Sequence, residues 1–307
     1  MNKTLKNMSS KLALFGASLI WGSSFMVVKA SVDSVEPHVL LVFRFTVACI
    51  LLCMIFYKKL KEINVEYIIQ GGILGFLIFL GYSLQTIGIT DTTPGKNAFL
   101  TAIYCVLVPF MNWFVDKKKP DAYNFSAAII TIIGIGLVSL NGDLTIGKGD
   151  AFTLVSGIFY AAHMVAVPKI GKNKDIVILT ILQFAFSAVF SLIIAIVFED
   201  LPTRVTTDMM TGLVYLAVFA TAGALLLQNV GQKYTDPTSA SIILSLESVF
   251  GVIFSVIFYH EVITLKIFLG FLLIFVAIII SETKLSFLKR RVERGIMISK
   301  EPIPSDK

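Results

Sequence analysis

The sequence predicts an all-α integral membrane protein with ten transmembrane helices, arranged as two inverted five-helix repeats. Three observations lead to this fold class. First, 56% of the 307 residues are hydrophobic and only 15% are charged, whereas soluble domains contain about 25% charged residues. Second, apolar runs of about 20 residues, the length that crosses a bilayer, recur along the chain. Third, motifs of the first half return in the second half at a nearly constant shift.

The apolar runs define ten candidate spans with short connections between them, which leave no room for a soluble domain. The expected spans are residues 11–32, 38–57, 66–88, 95–115, 121–140, 149–168, 175–198, 208–232, 238–259 and 263–282. The remaining segment, residues 283–307, is polar and begins with basic residues. We interpret it as a basic cytoplasmic tail.

The basic residues orient the spans. With the N-terminus in the cytoplasm, 20 of the 26 lysines and arginines fall on the cytoplasmic side, five fall outside and Arg44 lies within a span. Cytoplasmic loops are enriched in lysine and arginine, so this split favours the orientation. Ten spans return the chain to its starting side, and both termini are therefore expected in the cytoplasm of a multi-pass protein of the plasma membrane.

An internal repeat relates spans 1–5 to spans 6–10. A shift of 139 aligns WGSSFMVV (21–28) with YAAHMVAV (160–167), and a shift of 143 aligns LQTIGITDTTP (84–94) with LQNVGQKYTDP (227–237). We assign the first repeat to residues 11–140 and the second to 149–282. Because five is odd, the second copy enters the membrane from the opposite side. Inverted repeats are typical of transporters whose substrate site lies near the midplane between the copies.

These motifs resemble the EamA-type permeases of the drug/metabolite transporter superfamily. The resemblance rests on LIWGSSFMVVK in span 1, Arg44 in span 2, LQTIGITDTTPGKNAFLTAIYCVLVPF across spans 3 and 4, and DPTSASIILSLESVFGVIFSVIFYHEVIT in span 9. It implies two inverted halves and transport of small metabolites, often export, without ATP. The sequence departs from the family pattern at Glu247, which is followed by Ser248 and not by proline, and at "YHE" (259–261), where the family often has a Gly-Glu pair.

Glu247 and His163 are the ionisable residues that we single out inside the spans of the second repeat. Glu247 is expected near the midplane, where an acid either serves a substrate amine or a proton, or makes a helix-to-helix hydrogen bond while protonated. His163 is expected on the same side but shallower. It could relay protons near neutral pH, or be a neutral imidazole bonded to a neighbouring helix.

Arg44 is the one full charge of span 2, and it is expected nearer the outer mouth than the midplane. Three interpretations remain open: it reaches outward to lipid phosphates or water, it fixes a helix by bonding carbonyls or a carboxylate, or it binds an anionic substrate group. A direct ion pair between Arg44 and Glu247 would be stretched, because the two residues are expected at different depths in the membrane. Its repeat mate, Gln183, is uncharged.

The other candidate site residues are polar or aromatic and lie in repeated motifs. Trp21 lies in the middle of span 1, away from the interfaces where tryptophan collects, so with neighbouring serines it is expected to line a cavity. The full set of substrate-binding or coupling candidates is Glu247, His163, Tyr104, Trp21, Tyr160, Ser24, Arg44, Gln85 and Gln228.

The predicted function is a secondary transporter that moves a small polar metabolite, such as an amino acid or related compound, by alternating access, with export and proton coupling as further expectations. A nucleotide-sugar or other anionic metabolite carrier, and a non-transporting sensor, are the alternatives. The chain lacks nucleotide-binding and metal-ligand motifs, so we expect no enzyme activity, cofactor or metal. Expected partners are the substrate, membrane lipids and protons but no nucleic acid, and a monomer is compatible with the sequence.

Overall fold

The structure is a computed structural model that describes residues 3–117, 119–140, 146–202, 206–234 and 237–284. Side chains are described for the same residues apart from 3–7, 116, 229–230, 232–234 and 237–242. The predicted basic tail therefore lies almost wholly outside the described residues.

Helices account for nearly all of the described chain, and no strand occurs in it beyond one isolated bridge between Leu140 and Ile146. The α-helices are α1 Lys3–Val32, α2 Pro37–Ile55, α3 Val65–Thr90, α4 Pro94–Thr101, α5 Tyr104–Asp116, α6 Ala122–Ser139, α7 Lys148–Ile170, α8 Ile176–Phe198, α9 Thr207–Tyr215, α10 Ala224–Tyr234, α11 Pro237–Tyr259 and α12 Leu265–Thr283. A 3₁₀ turn covers Tyr57–Glu62, and a π-helical segment, Leu216–Gly223, joins α9 to α10.

The helices have the length and composition of membrane spans. Within the described ranges, nine helical segments are long and apolar enough to cross a bilayer, and Ile243–Tyr259 of α11 is a shorter apolar helix. Two of the nine are composite, because Pro94–Val115 joins α4 to α5 and Thr207–Gln228 joins α9 to α10. The predicted helical membrane fold is therefore confirmed.

Local sequence signals set the helix starts. Proline occupies the first turn of α2 and α4, where its missing N–H costs no hydrogen bond. Asn64, Asp121 and Asp175 cap α3, α6 and α8 by accepting from backbone N–H groups of the first turn. These capping residues and prolines lie in the connections between the apolar runs. These helices therefore begin close to the ends of the predicted spans.

Helix packing follows the predicted repeat. Helix α3 packs against α7, and its counterpart, the composite span that ends in α10, packs against α1. Helix α2 packs against α8 and α6 against α12, and in both pairs a helix contacts its own repeat mate. The two halves are thus interleaved, and residues from both meet at the centre of the bundle.

Two predicted spans are not continuous α-helices. Span 4 breaks between Thr101 and Tyr104, where the N–H of Cys105 bonds the carbonyl of Ala102 three residues back. Span 8 contains the π-helical segment. Neither break contains a proline, so the spacing of apolar residues could not reveal them. Thr101 and Tyr104, which flank the first break, line the central cavity, and the π-helical segment bonds two of its lining residues, Arg44 and Trp21.

Candidate functional site

A central cavity lies between the two halves and encloses about 770 Å³, counting the part that is open to the exterior. The cavity is bordered by α1, α3, α4, α5, α7, α10 and α11, with one residue from α2. Its lining is Trp21, Ser24, Phe25, Val28, Arg44, Ile78, Tyr82, Gln85, Ile89, Asn97, Thr101, Tyr104, Tyr160, His163, Met164, Leu225, Gln228, Leu244 and Glu247.

All nine candidates from the sequence line this one cavity. They are Glu247, His163, Tyr104, Trp21, Tyr160, Ser24, Arg44, Gln85 and Gln228. Many are repeat mates: residues 21 and 160, 24 and 163, 85 and 228, and 104 and 247 correspond at the shifts of 139 and 143. The structure thus brings the predicted set together, and its role in binding or coupling stays a prediction.

Glu247 and Tyr104 form the centre of the cavity wall. The Tyr104 hydroxyl donates to Oε1 of Glu247 at 2.9 Å, and both residues are almost fully buried. Tyr104 opens α5, so the break in span 4 determines where this hydroxyl is presented. Because a residue and its repeat mate touch only near the axis that relates the halves, this pair lies close to that axis.

Arg44 is buried, with 2% of its surface exposed. Its Nε donates to Oγ1 of Thr221 at 3.0 Å, and the guanidinium lies 4.9 Å from the centre of the Tyr82 ring. Among the described residues no carboxylate lies within ion-pair distance of it, Glu247 included. Burial excludes the interpretation in which Arg44 reaches outward to lipid phosphates.

The π-helical segment supplies two of the hydrogen-bond partners of the cavity. Its wider turn lets Oγ1 of Thr221 donate to the carbonyl of Leu216, at 2.7 Å, while that oxygen accepts from Arg44. The N–H of Ala224 bonds the carbonyls of Phe219 and Thr221 and does not bond the carbonyl of Ala220. The Ala220 carbonyl instead accepts from Nε1 of Trp21 at 2.8 Å. In the π-helical segment, the Ala220 carbonyl thus loses its bond to the Ala224 N–H and gains one from Trp21, which lines the cavity.

His163 binds a neighbouring helix. Its Nε2 donates to Oε1 of Gln183 at 3.0 Å, linking α7 to α8. This contact matches the structural alternative for His163, although it leaves the imidazole on the cavity. Gln183 is the repeat mate of Arg44, and His163 is the repeat mate of Ser24. In the second half, the uncharged counterpart of Arg44 therefore bonds the histidine that is the counterpart of Ser24.

A polar chain joins α7, α3 and the break in span 4. The Tyr160 hydroxyl donates to Oε1 of Gln85 at 2.9 Å, and Nε2 of Gln85 donates to Oγ1 of Thr101 at 2.9 Å. Asn97 donates to Thr153 at 2.7 Å, while its Oδ1 has no partner among the described residues. This chain fixes the amide of Gln85 with both ends bonded.

Aromatic rings form part of the cavity lining. The ring centres of Tyr82 and Tyr160 are 5.6 Å apart, and those of Tyr104 and Tyr160 are 6.4 Å apart, both with edge-to-face geometry. Sequence reasoning did not single out Tyr82. Its position three residues before Gln85, on the same helical face, was the available signal.

Charged residues tie the helices together at the end of the bundle predicted to face outward. Nζ of Lys29 donates to the carbonyls of Ile89 and Thr90, at 2.9 and 2.7 Å, and so joins α1 to the C-terminus of α3. Lys96 pairs with Asp150 at 2.6 Å, and Glu199 accepts from the first N–H groups of α2. At the opposite end, Lys59 pairs with Asp175 and Lys174 with Glu66.

Among the described residues, no group of three or more His, Cys, Asp or Glu side chains is placed to hold a metal ion. The cavity instead offers one cation, one acid, amide and hydroxyl groups, and aromatic rings. Such a lining can bind a small polar solute that also carries an apolar part.

Comparison with known proteins gives the family. The profile of the EamA-like transporter family matches the chain twice, over residues 8–140 and 147–283. An uncharacterized transporter of Archaeoglobus fulgidus is 33% identical over 280 residues, which cover 90% of this chain and 86% of the relative. The uncharacterized transporter YoaV of Bacillus subtilis is 23% identical, with 92% of this chain and 98% of the relative covered.

More distant relatives agree. Human solute carrier family 35 member G1 is 24% identical, with 78% of this chain and 69% of that protein covered. A crystal structure with 16% identity superposes with a TM-score of 0.65 over 93% of this chain and 99% of its own, which shows the shared fold. The predicted resemblance is thereby confirmed: this protein belongs to the EamA-like transporter family and is a multi-pass helical membrane protein of the drug/metabolite transporter type.

Proposed function

We propose that this protein is a secondary transporter that moves a small polar metabolite, such as an amino acid or a related compound, across the plasma membrane by alternating access. The observation that carries the proposal is the central cavity, whose lining includes a buried cation, Arg44, and a buried acid, Glu247, together with aromatic rings. Charged groups buried inside a membrane protein mark substrate or ion pathways. Both halves supply residues to this cavity, as alternating access by rocking of one set of helices against the other requires.

The cavity favours a small solute over a nucleotide sugar. A diphosphate would call for several cations, because each phosphate is best met by arginine or lysine. Arg44 is the single arginine or lysine in the cavity lining that the structure describes. The alternative of a nucleotide-sugar carrier is therefore less well supported, and a sensor offers no reason for opposite charges around a cavity of this size.

The ties between α1 and α3 at the predicted outer end support a state that is closed toward the outside, which is one of the two states that alternating access requires. Val28 and Ile89 line the cavity and are both buried, and Lys29 joins their helices directly beyond them. With both termini in the cytoplasm, this arrangement corresponds to a state that is closed toward the outside. Such a state would receive substrate from the cytoplasm before the outer end opens.

Proton coupling is proposed to run through Glu247, with His163 as a second titratable group on the same cavity. The experiment is flux of labelled amino acids in proteoliposomes, with and without a pH gradient, for the wild type and for Glu247→Gln. We expect the wild type to respond to the gradient and Glu247→Gln to lose that response. Glu62→Gln, at the end of a 3₁₀ turn away from the cavity, is the matched control. Unchanged pH dependence in Glu247→Gln would refute the coupling, and absence of flux for every solute would refute the transporter proposal.

A further inference from the structure

The first turn of α4 is fastened to the second repeat by a carboxylate. Glu261, just beyond the end of α11, accepts from the N–H of Gly95 at 2.9 Å and from the hydroxyl of Thr93, which is the N-cap of α4. The hydroxyl of Ser255 in α11 also donates to this carboxylate, so both of its oxygens are bonded. The N–H groups of the first turn have no partner within their own helix, and Glu261 therefore completes the start of α4 from a distant part of the chain.

A second carboxylate fastens the same turn to α7. Asp150, in the first turn of α7, accepts from the hydroxyl of Thr92 and pairs with Nζ of Lys96 at 2.6 Å. Only 2% of the surface of Asp150 is exposed. Loss of one partner from a buried ion pair is unfavourable, because the other charge is left uncompensated. Four groups within residues 92–96 are thus bonded to two acids of the second repeat.

The helices around this turn pack closely at the predicted outer end. A Cβ on Gly149 would lie 2.5 Å from the carbonyl oxygen of Gly88 and 2.7 Å from the carbonyl carbon of Asp91, so the start of α7 crosses the end of α3 in backbone contact. Lys29 bonds the same end of α3 from α1. The connection between α3 and α4 is therefore held by α1, by α7 and by the end of α11.

The first repeat has a lysine in place of Glu261. Helices α5 and α11 are each followed by a left-handed residue, Lys117 with φ 57° and His260 with φ 55°. These two residues are mates at the shift of 143, so the register of the repeat holds to the ends of the two helices. The next residue is Lys118 in the first copy and Glu261 in the second.

The mate of the second acid is also a lysine. At the shift of 139, Asp150 corresponds to Lys11. A lysine side chain only donates hydrogen bonds, so it cannot accept from the hydroxyl and N–H groups of a helix start. The sequence thus places the two carboxylates at the predicted outer end, and lysines occupy the equivalent positions at the opposite end.

Helix α4 connects the fastened turn to the cavity. It has eight residues and is therefore about 12 Å long. Asn97 and Thr101 follow Thr93 at intervals of four, so they share its face of the helix, and both line the cavity. Asn97 donates to Thr153, and Thr101 accepts from Gln85. A movement of the first turn of α4 would therefore shift two groups of the cavity lining.

We propose that Asp150 and Glu261 form a latch on the first turn of α4, which holds the outer end closed while the cavity is empty and releases before that end opens. The proposal rests on the proposed function, because an outward-open state belongs to alternating access. Hydrogen bonds and ion pairs to carboxylates are stronger than those between neutral groups, so the latch favours the closed state. The mates of the two acids are lysines, and the sequence therefore does not provide the same latch at the opposite end.

The first test follows one thiol from both sides of the membrane. Val28→Cys places a cysteine on the cavity lining, in a chain whose native Cys49, Cys53 and Cys105 are replaced by alanine. Labelling by a membrane-impermeant methanethiosulfonate is measured in right-side-out and in inside-out vesicles, without added solute. We expect Glu261→Gln to be labelled at least about tenfold faster from outside, and no faster from inside, because the population moves from one state to the other.

Two outcomes would overturn the latch. One is an outside rate that stays at the wild-type value, and the other is an equal rise from both sides, which indicates a generally loosened fold. Asp150→Asn should behave like Glu261→Gln, since it removes the charge that pairs with Lys96. Glu36→Gln is the control, because Glu36 is an exposed acid of the connection before α2 and its side chain makes no cap hydrogen bond.

The second test disturbs the latch without changing either acid, and it decides if Glu261→Gln does not fold. A Cβ at residue 95 would lie 2.7 Å from Oε2 of Glu261, so Gly95→Ala should also speed labelling from outside. Gly147→Ala is the matched control, because a Cβ at Gly147, just before α7, has no heavy atom within 4 Å. Gly95→Ala combined with Glu261→Ala should label at the rate of Glu261→Ala alone, since the added methyl group then displaces no carboxylate. Additive increases would contradict the latch.

Failure of the latch and failure of the proposed function can be told apart, because labelling requires neither a substrate nor transport. Flux in proteoliposomes, combined with unchanged labelling of the latch variants, would refute the latch and leave the transporter. The expected labelling pattern without flux of any solute would contradict the transporter and leave the latch as the contact that closes the outer end.

Discussion

The hydroxyl of Tyr104 and the carboxylate of Glu247 are joined by a 2.9 Å hydrogen bond, although the two residues occupy the same position in two repeats. The pair thus converts a sequence duplication into a contact at the centre of the molecule. One half contributes the donor and the other contributes the acid. The axis that relates the halves therefore passes close to the proposed substrate site.

Tyr104→Phe should weaken transport without unfolding the protein. The substitution keeps the ring that packs on Tyr160 and removes the described donor to Glu247. A hydrogen bond to a charged group contributes about 1.5–3 kcal/mol, so we expect kcat/KM for flux to fall about tenfold or more. Tyr57→Phe is the control, because Tyr57 is 60% exposed in a connecting turn. Equal loss in both variants would show that the Glu247 contact has no special role.

Lys29→Met should loosen the predicted outer end. It removes two hydrogen bonds from Nζ to the last carbonyls of α3, a contact that also matches a cation to a helix C-terminus. In a cysteine-free background with Ser24→Cys, we expect faster labelling by a membrane-impermeant thiol reagent added outside. Lys266→Met is the matched control, since Nζ of Lys266 donates to the carbonyl of Leu140 between α12 and α6. A rate that does not rise above the control would contradict the assigned closure.

Gly134→Ala and Gly136→Ala should act in opposite directions on stability. A Cβ at residue 134 would lie 2.7 Å from Cγ1 of Ile274 and 3.0 Å from the carbonyl of Gly270. A Cβ at residue 136 would meet one flexible leucine methyl, at 3.4 Å. Overpacking costs about 1–3 kcal/mol, and alanine is favoured over glycine in helices by about 1 kcal/mol. Unfolding temperatures in detergent should fall for the first variant and hold or rise for the second. The reverse order would be incompatible with the α6–α12 packing.

Asp175 should stabilise the protein only above its titration range. Burial acts to raise the pKa of this carboxyl, but hydrogen bonds from Lys59 and from the N–H of Val177 outweigh it, so the pKa is lowered from the usual value. An acid with a lowered folded pKa stabilises the fold above the unfolded pKa, about 3.9, and loses that contribution as pH falls. Asp175→Asn keeps a capping oxygen and should lower the unfolding temperature by about 1–3 °C near neutral pH.

A pH series checks this assignment by comparing the unfolding temperatures of the wild type and Asp175→Asn. Because both proteins contain all the other acids, the contributions of those acids cancel in the difference. The gap between the wild type and Asp175→Asn should close as pH falls below about 4. A gap of the same size at pH 7 and at the lowest pH that keeps the protein folded would show that the charge of Asp175 is not responsible.

The sequence by itself predicted the membrane fold, the apolar runs, the repeat and nine of the residues that line the cavity. These follow from composition and period, because an apolar run of about 20 residues has few alternatives in a bilayer. Arg44 and Glu247 stood out for the same reason, since a charge inside an apolar run is expensive wherever it points. The shift of 143 also pairs Tyr104 with Glu247.

Only the tertiary structure decided what those residues contact. The break before Tyr104 contains no proline, and neither does the π-helical segment that bonds Trp21 and Arg44, so the sequence marks neither of them. Such irregular turns are tolerated inside a membrane protein because neighbouring helices bond the freed backbone groups. His163 bonds Gln183 on the next helix, and Arg44 bonds Thr221, which lies 177 residues further along the chain. Such contacts depend on how the helices pack together, and the pattern of apolar and polar residues along the sequence does not predict them.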